Sequence, residues 1–207
     1  MAASTKGRAV AGRRNQPVQR RSVEKVASIL EATRNVMSEA STELTVREIE
    51  QRVDFSAGTI YRYFETLDAI VDAVLQEHAD VAERRVAKLL EAIVPATFED
   101  LLVALAESFI ALYREQPSFT RLRVGGDYWS RYVEIEEVSN AGLVEQIADV
   151  ATAAGVFPPG ARHRRRLLVH WTAMGAAFRL AFKENARGDR IVIAEIRSMA
   201  RAFASTY

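Results

Sequence analysis

Thr45-Val-Arg-Glu-Ile-Glu-Gln-Arg-Val-Asp-Phe-Ser-Ala-Gly-Thr-Ile-Tyr-Arg-Tyr-Phe64 is the stretch that decides the fold. Thr45 followed three residues later by Glu48 is a capping-box pattern that opens a short helix, with Val46, Ile49 and Val53 on its inner face. Asp54 stands where a turn is needed, and Ser56 is placed to cap a following helix from Ala57 to about Phe64. About nine residues, a turn and about eight more are helix-turn-helix proportions. In the later helix Ile60 and Phe64 are i, i+4 partners that face inward. That leaves Ala57, Gly58, Thr59, Tyr61, Arg62 and Tyr63 at the exposed end and flanks. Small residues at that end let the backbone come close to base edges, first-turn amides favour phosphate, and Thr and Tyr hydroxyls are phosphate donors. A generic three-helix substructure with exposed tyrosines fits the helix pattern equally well.

Outward from this stretch the chain reads as helix throughout. Val23, Val26, Leu30, Thr33, Met37 and Ala40 recur at three and four from Ser22 onward, and Thr66 is placed to cap a long helix running to Pro95. Thr97-Phe-Glu-Asp100 opens a further helix that ends at Pro117. Residues 118–132 are interrupted by Gly125-Gly126, and 133–154 run to Gly155 and Pro158-Pro159. The stretches 162–185 and 189–203 complete an expected all-α fold of about nine helices. The boundaries read as an arm over 1–22, a helix-turn-helix domain over 23–66 and a larger helical domain over 67–207.

Composition excludes several classes. The 207 residues include no cysteine, so a disulfide framework and thiolate metal sites are out. The longest apolar run, Leu101 to Ala106, is far short of a membrane span, and residues 1–22 lack the apolar core of a secretory signal. A soluble, cytoplasmic protein that needs no membrane is expected. The net charge of +1 hides an asymmetry: Lys6, Arg8, Arg13, Arg14, Arg20 and Arg21 give residues 1–22 a balance of +6, leaving −5 on the rest. A basic arm on a mildly acidic body points to a polyanion, although a solubilising tail has the same composition.

Residues 23–75 resemble the N-terminal domain of the TetR family of bacterial transcriptional repressors. The matching words are Ile29-Leu-Glu-Ala32, Leu44-Thr-Val-Arg-Glu-Ile49 and, above all, Ser56-Ala-Gly-Thr-Ile-Tyr-Arg-Tyr-Phe64. The resemblance implies a three-helix DNA-binding domain joined by a fourth helix to a ligand-binding and dimerisation domain. It implies that Arg47 reaches a base edge, that Ala57, Gly58, Thr59 and Tyr61 form the reading end of the recognition helix, and that Thr45, Thr59, Tyr61 and Tyr63 anchor phosphates. Ser56 and Arg62 flank this set, and Arg13, Arg14, Arg20 and Arg21 of the arm would add charge. Three positions depart from the family pattern: Leu67 replaces the usual lysine after the recognition helix, Glu50 a usual small residue, and Asp54 the turn glycine. The five cations of residues 23–66 face eight acids, so the arm is expected to supply much of the non-specific affinity.

In the larger domain the resemblance implies that the last two helices pair with their symmetry mates in a homodimer. Small residues Ala173, Gly175, Ala176 and Ala177 would permit close approach, and Ile193, Ile196, Met199 and Phe203 line one face of the final helix. A two-fold dimer implies a palindromic operator in double-stranded DNA. Phe109, Tyr113, Tyr128, Trp129, Trp171 and Phe178 are candidate walls of a pocket for a small, largely apolar effector, with His170 and Arg123 as polar points. Neither a zinc-protease histidine pair, a nucleophile elbow nor a P-loop is present, so no catalytic residue, metal or cofactor is expected. The rival reading is a helical small-molecule-binding or catalytic bundle without sequence-specific DNA binding.

Overall fold

The computed structural model describes residues 20–39, 42–116, 118 and 129–207, without the side chains of 129–132. Eight helices are found among the described residues: α1 (Arg20–Ser38), α2 (Val46–Glu50), α3 (Ala57–Tyr63), α4 (Leu67–Ala92), α5 (Phe98–Glu115), α6 (Trp129–Ala153), α7 (Ala161–Phe182) and α8 (Arg190–Ala204). Most of 118–132, where a further helix was in question, lies outside the described residues, as do Arg13, Arg14, Arg123 and the Gly125-Gly126 break. The chain divides into two compact units, residues 1–77 and 78–207.

In the first unit the buried positions of α1 are Val26, Ile29, Leu30, Ala32, Thr33, Val36 and Met37, a stripe at helical spacing that starts one turn later than Val23, which is exposed. Thr33 is buried without penalty because its hydroxyl donates to the Ile29 carbonyl at 2.7 Å. Arg20 and Arg21 are helical and belong to α1. α2 is shorter than its sequence pattern promises. After Glu50 the chain tightens into a turn, with Arg52 N–H donating to the Ile49 carbonyl and Val53 N–H to that of Glu50. Ile49, Ile60, Phe64, Val71 and Val74 close the core of this unit. Arg34 of α1 pairs with Glu77 of α4 at its edge.

The second unit packs α5 on α8, α8 on α7 and α7 on α6. Its core joins Val86 and Leu90 of α4 to Leu101, Leu105 and Leu112 of α5, Ile147 of α6, Leu167 and Phe182 of α7, and Ile196 of α8. The starts of these helices follow the expected chemistry. Thr97 and Asp100 form a reciprocal capping box, and the Asp189 carboxylate accepts from Ile191 and Val192 N–H. At the α7–α8 corner Gly188 adopts φ +82°, where a Cβ would come within 2.5 Å of Ile193 Cδ1. Only glycine fits both the dihedral and the space.

One expectation about α8 is reversed. Ile193 and Ile196 are buried and Met199 and Phe203 half-buried against this unit's own core, so the face proposed for a partner closes the monomer. Packing of α8 against α5 and α7 uses up the more apolar stripe.

His170 lies in that core, stacked on Phe203 with centroids 4.1 Å apart and planes 2° from parallel. The guanidinium of Arg166 stands over the same Phe203 ring, 5.9 Å from its centroid. Burial pushes the imidazole down from 6.5 to about 4. The unfolded chain takes up this proton at a higher pH than the fold does, so stability is full above pH 6.5 and declines as the pH falls towards 4. At about 1.4 kcal/mol per unit the shift sets a ceiling of about 3 kcal/mol on the loss from this group, which residual solvent screening lowers. Urea melts of wild type and His170→Phe between pH 7.5 and 4 check this. The variant should lose about one proton's worth of slope, and identical slopes would refute the assignment.

Candidate nucleic-acid interface

α2 and α3 carry the residues that the sequence singles out. Thr45 caps α2, its hydroxyl oxygen accepting from Glu48 N–H at 3.2 Å, which leaves the hydroxyl hydrogen available to a phosphate. Only this half of the expected capping box forms. The Glu48 carboxylate turns instead to Arg52, at 2.9 Å, and Glu39 takes the other guanidinium nitrogen at 2.7 Å. Arg52 is therefore held by two acids and is no free cation.

On α3 the helical period sorts the residues. Ile60 and Phe64 are fully buried, and Tyr63 at i+3 goes in with them at 7% exposure, its hydroxyl 3.4 Å from Ser22 Oγ. Tyr63 is thus largely buried and not at the exposed flank where the sequence pattern put it. The i, i+3, i+4 geometry that buries Ile60 leaves no other side for it. Tyr61, by contrast, is 46% exposed, and Gly58, Arg62 and Ser56 are exposed beside half-buried Ala57 and Thr59. Arg47 of α2 is exposed as well.

Ser56 occupies the N-cap position but its side chain caps nothing. The cap comes from α2: Glu50 Oε1 accepts from Ala57 N–H at 2.7 Å. Glu50 stands out in the sequence as a departure from the family pattern, yet its role is legible only in three dimensions, because the turn between the helices sets the separation. Its carboxylate places a full negative charge at the first turn of the helix that is to meet the polyanion.

Cations in the first unit are mostly engaged. Arg20 pairs with Glu24 at 3.0 Å, Arg34 with Glu77, Arg52 with Glu39 and Glu48, and Lys25 lies over the Phe55 ring at 5.2 Å. Among the described residues of this unit, Arg21, Arg47 and Arg62 make no ion pair. The surface that presents Arg47, Thr45, Gly58, Tyr61 and Arg62 can donate hydrogen bonds to phosphates and base edges, but it carries little surplus charge.

In the second unit, four of the six proposed pocket residues come together. Phe109 meets Trp171 edge-on at 5.3 Å and Phe178 at 5.9 Å, and Tyr113 stacks on Phe178 at 5.5 Å. Trp171 Nε1 donates to Asn140 Oδ1 at 2.9 Å, an anchor not expected from sequence. Tyr128 lies outside the described residues, as does the side chain of Trp129 at the start of α6.

Glu50→Gln keeps an acceptor for Ala57 N–H and removes the charge, so binding to any duplex is expected to tighten several-fold in 50 mM salt, where Coulomb terms are least screened. Fluorescence anisotropy measures this, and an unchanged affinity would place Glu50 away from the phosphates. In the same assay Tyr61→Phe should weaken binding several-fold while Tyr63→Phe leaves it within twofold.

Comparisons with known proteins agree with this geometry. Residues 29–74 match the description "Bacterial regulatory proteins, tetR family", and residues 96–203 match "Tetracyclin repressor-like, C-terminal domain". Among solved structures, a TetR-family transcriptional regulator from Streptomyces coelicolor superposes with a TM-score of 0.68 at 23% identity, over 89% of this chain and 98% of that one. The fatty acid degradation regulator FadR from Bacillus halodurans gives 0.68 at 13% identity, over 87% and 94%. GusR of Salmonella enterica gives 0.65 at 20%, over 92% and 100%. At these identities the likeness is one of fold. No curated protein matches the chain. The two family matches cover both units and together more than half of the residues, and on them the chain belongs to the TetR family of bacterial regulatory proteins, with a helix-turn-helix that binds DNA.

Proposed function

We propose that this regulator acts in the cytoplasm as a homodimeric repressor that reads a palindromic operator and is released from it by a small, largely apolar effector. The observation that carries the reading is the sorting of α3, with Ile60, Tyr63 and Phe64 buried and Gly58, Tyr61 and Arg62 turned to solvent, while Arg47 of α2 is exposed as well. A helix buried on one side and polar on the other, following a capped short helix across a tight turn, is the form that enters a major groove.

The dimer is supported by the outer faces of α7 and α8. Val169 is 66% exposed, Leu180 63% and Ile191 76%, with exposed Ala173, Ala176, Ala194 and Ala202 between them. Large apolar groups separated by alanines suit close packing of helices from two copies, and a two-fold pair of recognition helices would meet half-sites about 34 Å apart or a multiple of that. The effector reading rests on the ring cluster of Phe109, Tyr113, Trp171 and Phe178. α4 runs from the first unit into the second, so a ligand that shifts it would change the spacing of two recognition helices. Ligand and DNA would then weaken each other reciprocally.

Selection of random duplex DNA by the purified protein tests this. Enrichment of a palindrome with half-sites one or more turns apart is the expected outcome, and failure to enrich any sequence at low salt would overturn the reading. With the selected site in hand, removal of residues 1–19, which keeps every described residue of α1, is expected to lower the slope of log K against log salt. The change should be several units per dimer, at about 0.9 per lost phosphate contact. An unchanged slope would show that the arm leaves the phosphates alone.

A further inference from the structure

Apart from the ring cluster, α4 and α5 of the second unit leave a trough of about 580 Å³ between them. Its α4 wall is a single helical stripe in which Val81 and Leu89 are half-buried and Arg84, Arg85 and Lys88 stand between them. Its α5 wall holds Ser108 and, two turns on, Glu115. The volume is within the range of about 300–1,000 Å³ usual for small-molecule sites.

The charges of this trough do not cancel. Glu115 is its one acid, and it is held by Arg85 in a two-pronged pair at 2.8 and 3.1 Å. That pair keeps the Glu115 carboxyl below the usual carboxylate range, so it remains ionised and Arg85 remains fixed. Arg84 and Lys88 are exposed, lie one helical turn apart, and make no ion pair among the described residues. Like charges at i, i+4 oppose each other and weaken a helix, and an anion set between them removes that repulsion. The half-buried Val81 and Leu89 offer an apolar body its place in the same trough.

We propose that the trough between α4 and α5 binds a small amphipathic anion, a carboxylate or phosphate head between Arg84 and Lys88 with an apolar body along Val81 and Leu89. This site is separate from the Phe109–Trp171–Phe178 cluster and calls for a charged ligand where that cluster suits a neutral one. Binding here does not depend on the DNA-binding reading, because it is measured with no DNA present.

The experiment is isothermal titration of the full chain with octanoate, octyl phosphate, octanol and inorganic phosphate. One or both of octanoate and octyl phosphate should bind, and the tighter of the two tells a carboxylate source from a phosphate one. Octanol and inorganic phosphate should each bind at least tenfold more weakly. The Arg84→Gln/Lys88→Gln double variant should lose at least tenfold, and the charge-keeping pair Arg84→Lys/Lys88→Arg should retain binding. Both positions are exposed, so the variants should keep the wild-type thermal midpoint. Equal binding by the double Gln variant, octanol binding as tightly as octanoate, or no binding by either anion up to 10 mM would each overturn the proposal.

Discussion

The burial of Ile60, Tyr63 and Phe64 against Ile49 is the constraint on which the DNA-facing surface depends. α3 is only seven residues long and could not hold its shape alone in water. It is a helix because three apolar side chains on one side of it are taken up by the first unit's core. Removing a ring such as Phe64 from a site of this kind costs about 3–5 kcal/mol, a large share of a small domain's stability. The same burial fixes the rotation of α3 about its axis, and that rotation alone decides that Tyr61 and Arg62 meet solvent while Tyr63 does not.

Acids then trim what the rotation exposes. Glu50 satisfies Ala57 N–H at the start of α3, and Glu39 and Glu48 hold Arg52, so an acid-rich domain spends its carboxylates on its own structure. A carboxylate so placed repels phosphate at long range and accepts a hydrogen bond at short range. Both effects favour a well-fitted duplex over an arbitrary one, because indiscriminate phosphate attraction is reduced. Arg21, Arg47 and Arg62, with Lys25 over the Phe55 ring, are then the described cations of this unit left free of acids.

The second unit is built on a different economy. Its helices share one apolar core, and surface pairs such as Glu107 with Arg197 and Glu99 with Arg201 stitch α5 to α8. Exposed pairs of this kind contribute about 1 kcal/mol or less each, so the core and not the ion pairs holds α8 in place. Because that core absorbs Ile193 and Ile196, the apolar part of the outer surface of α8 is reduced to Ile191 and alanines, among exposed Arg190, Glu195 and Arg201.

From sequence alone the all-α class, the order of the helices and the helix-turn-helix were legible, because apolar period, capping residues and prolines are local signals. Thr97 with Asp100 and Thr66 at α4 act where their spacing said they would. What the tertiary structure decided is everything that depends on which of two faces meets a neighbour. Tyr63 and Tyr61 are chemically identical and two residues apart, and only the position of the α1 and α2 core separates them. Ser56 is a good cap by type, yet Glu50 reaches the amide first because the turn brings α2 alongside. The apolar stripe of α8 could serve a partner or its own chain, and the packing of α5 and α7 gave it to its own chain. Periodicity specifies that a face is apolar; only the assembled core specifies what covers it.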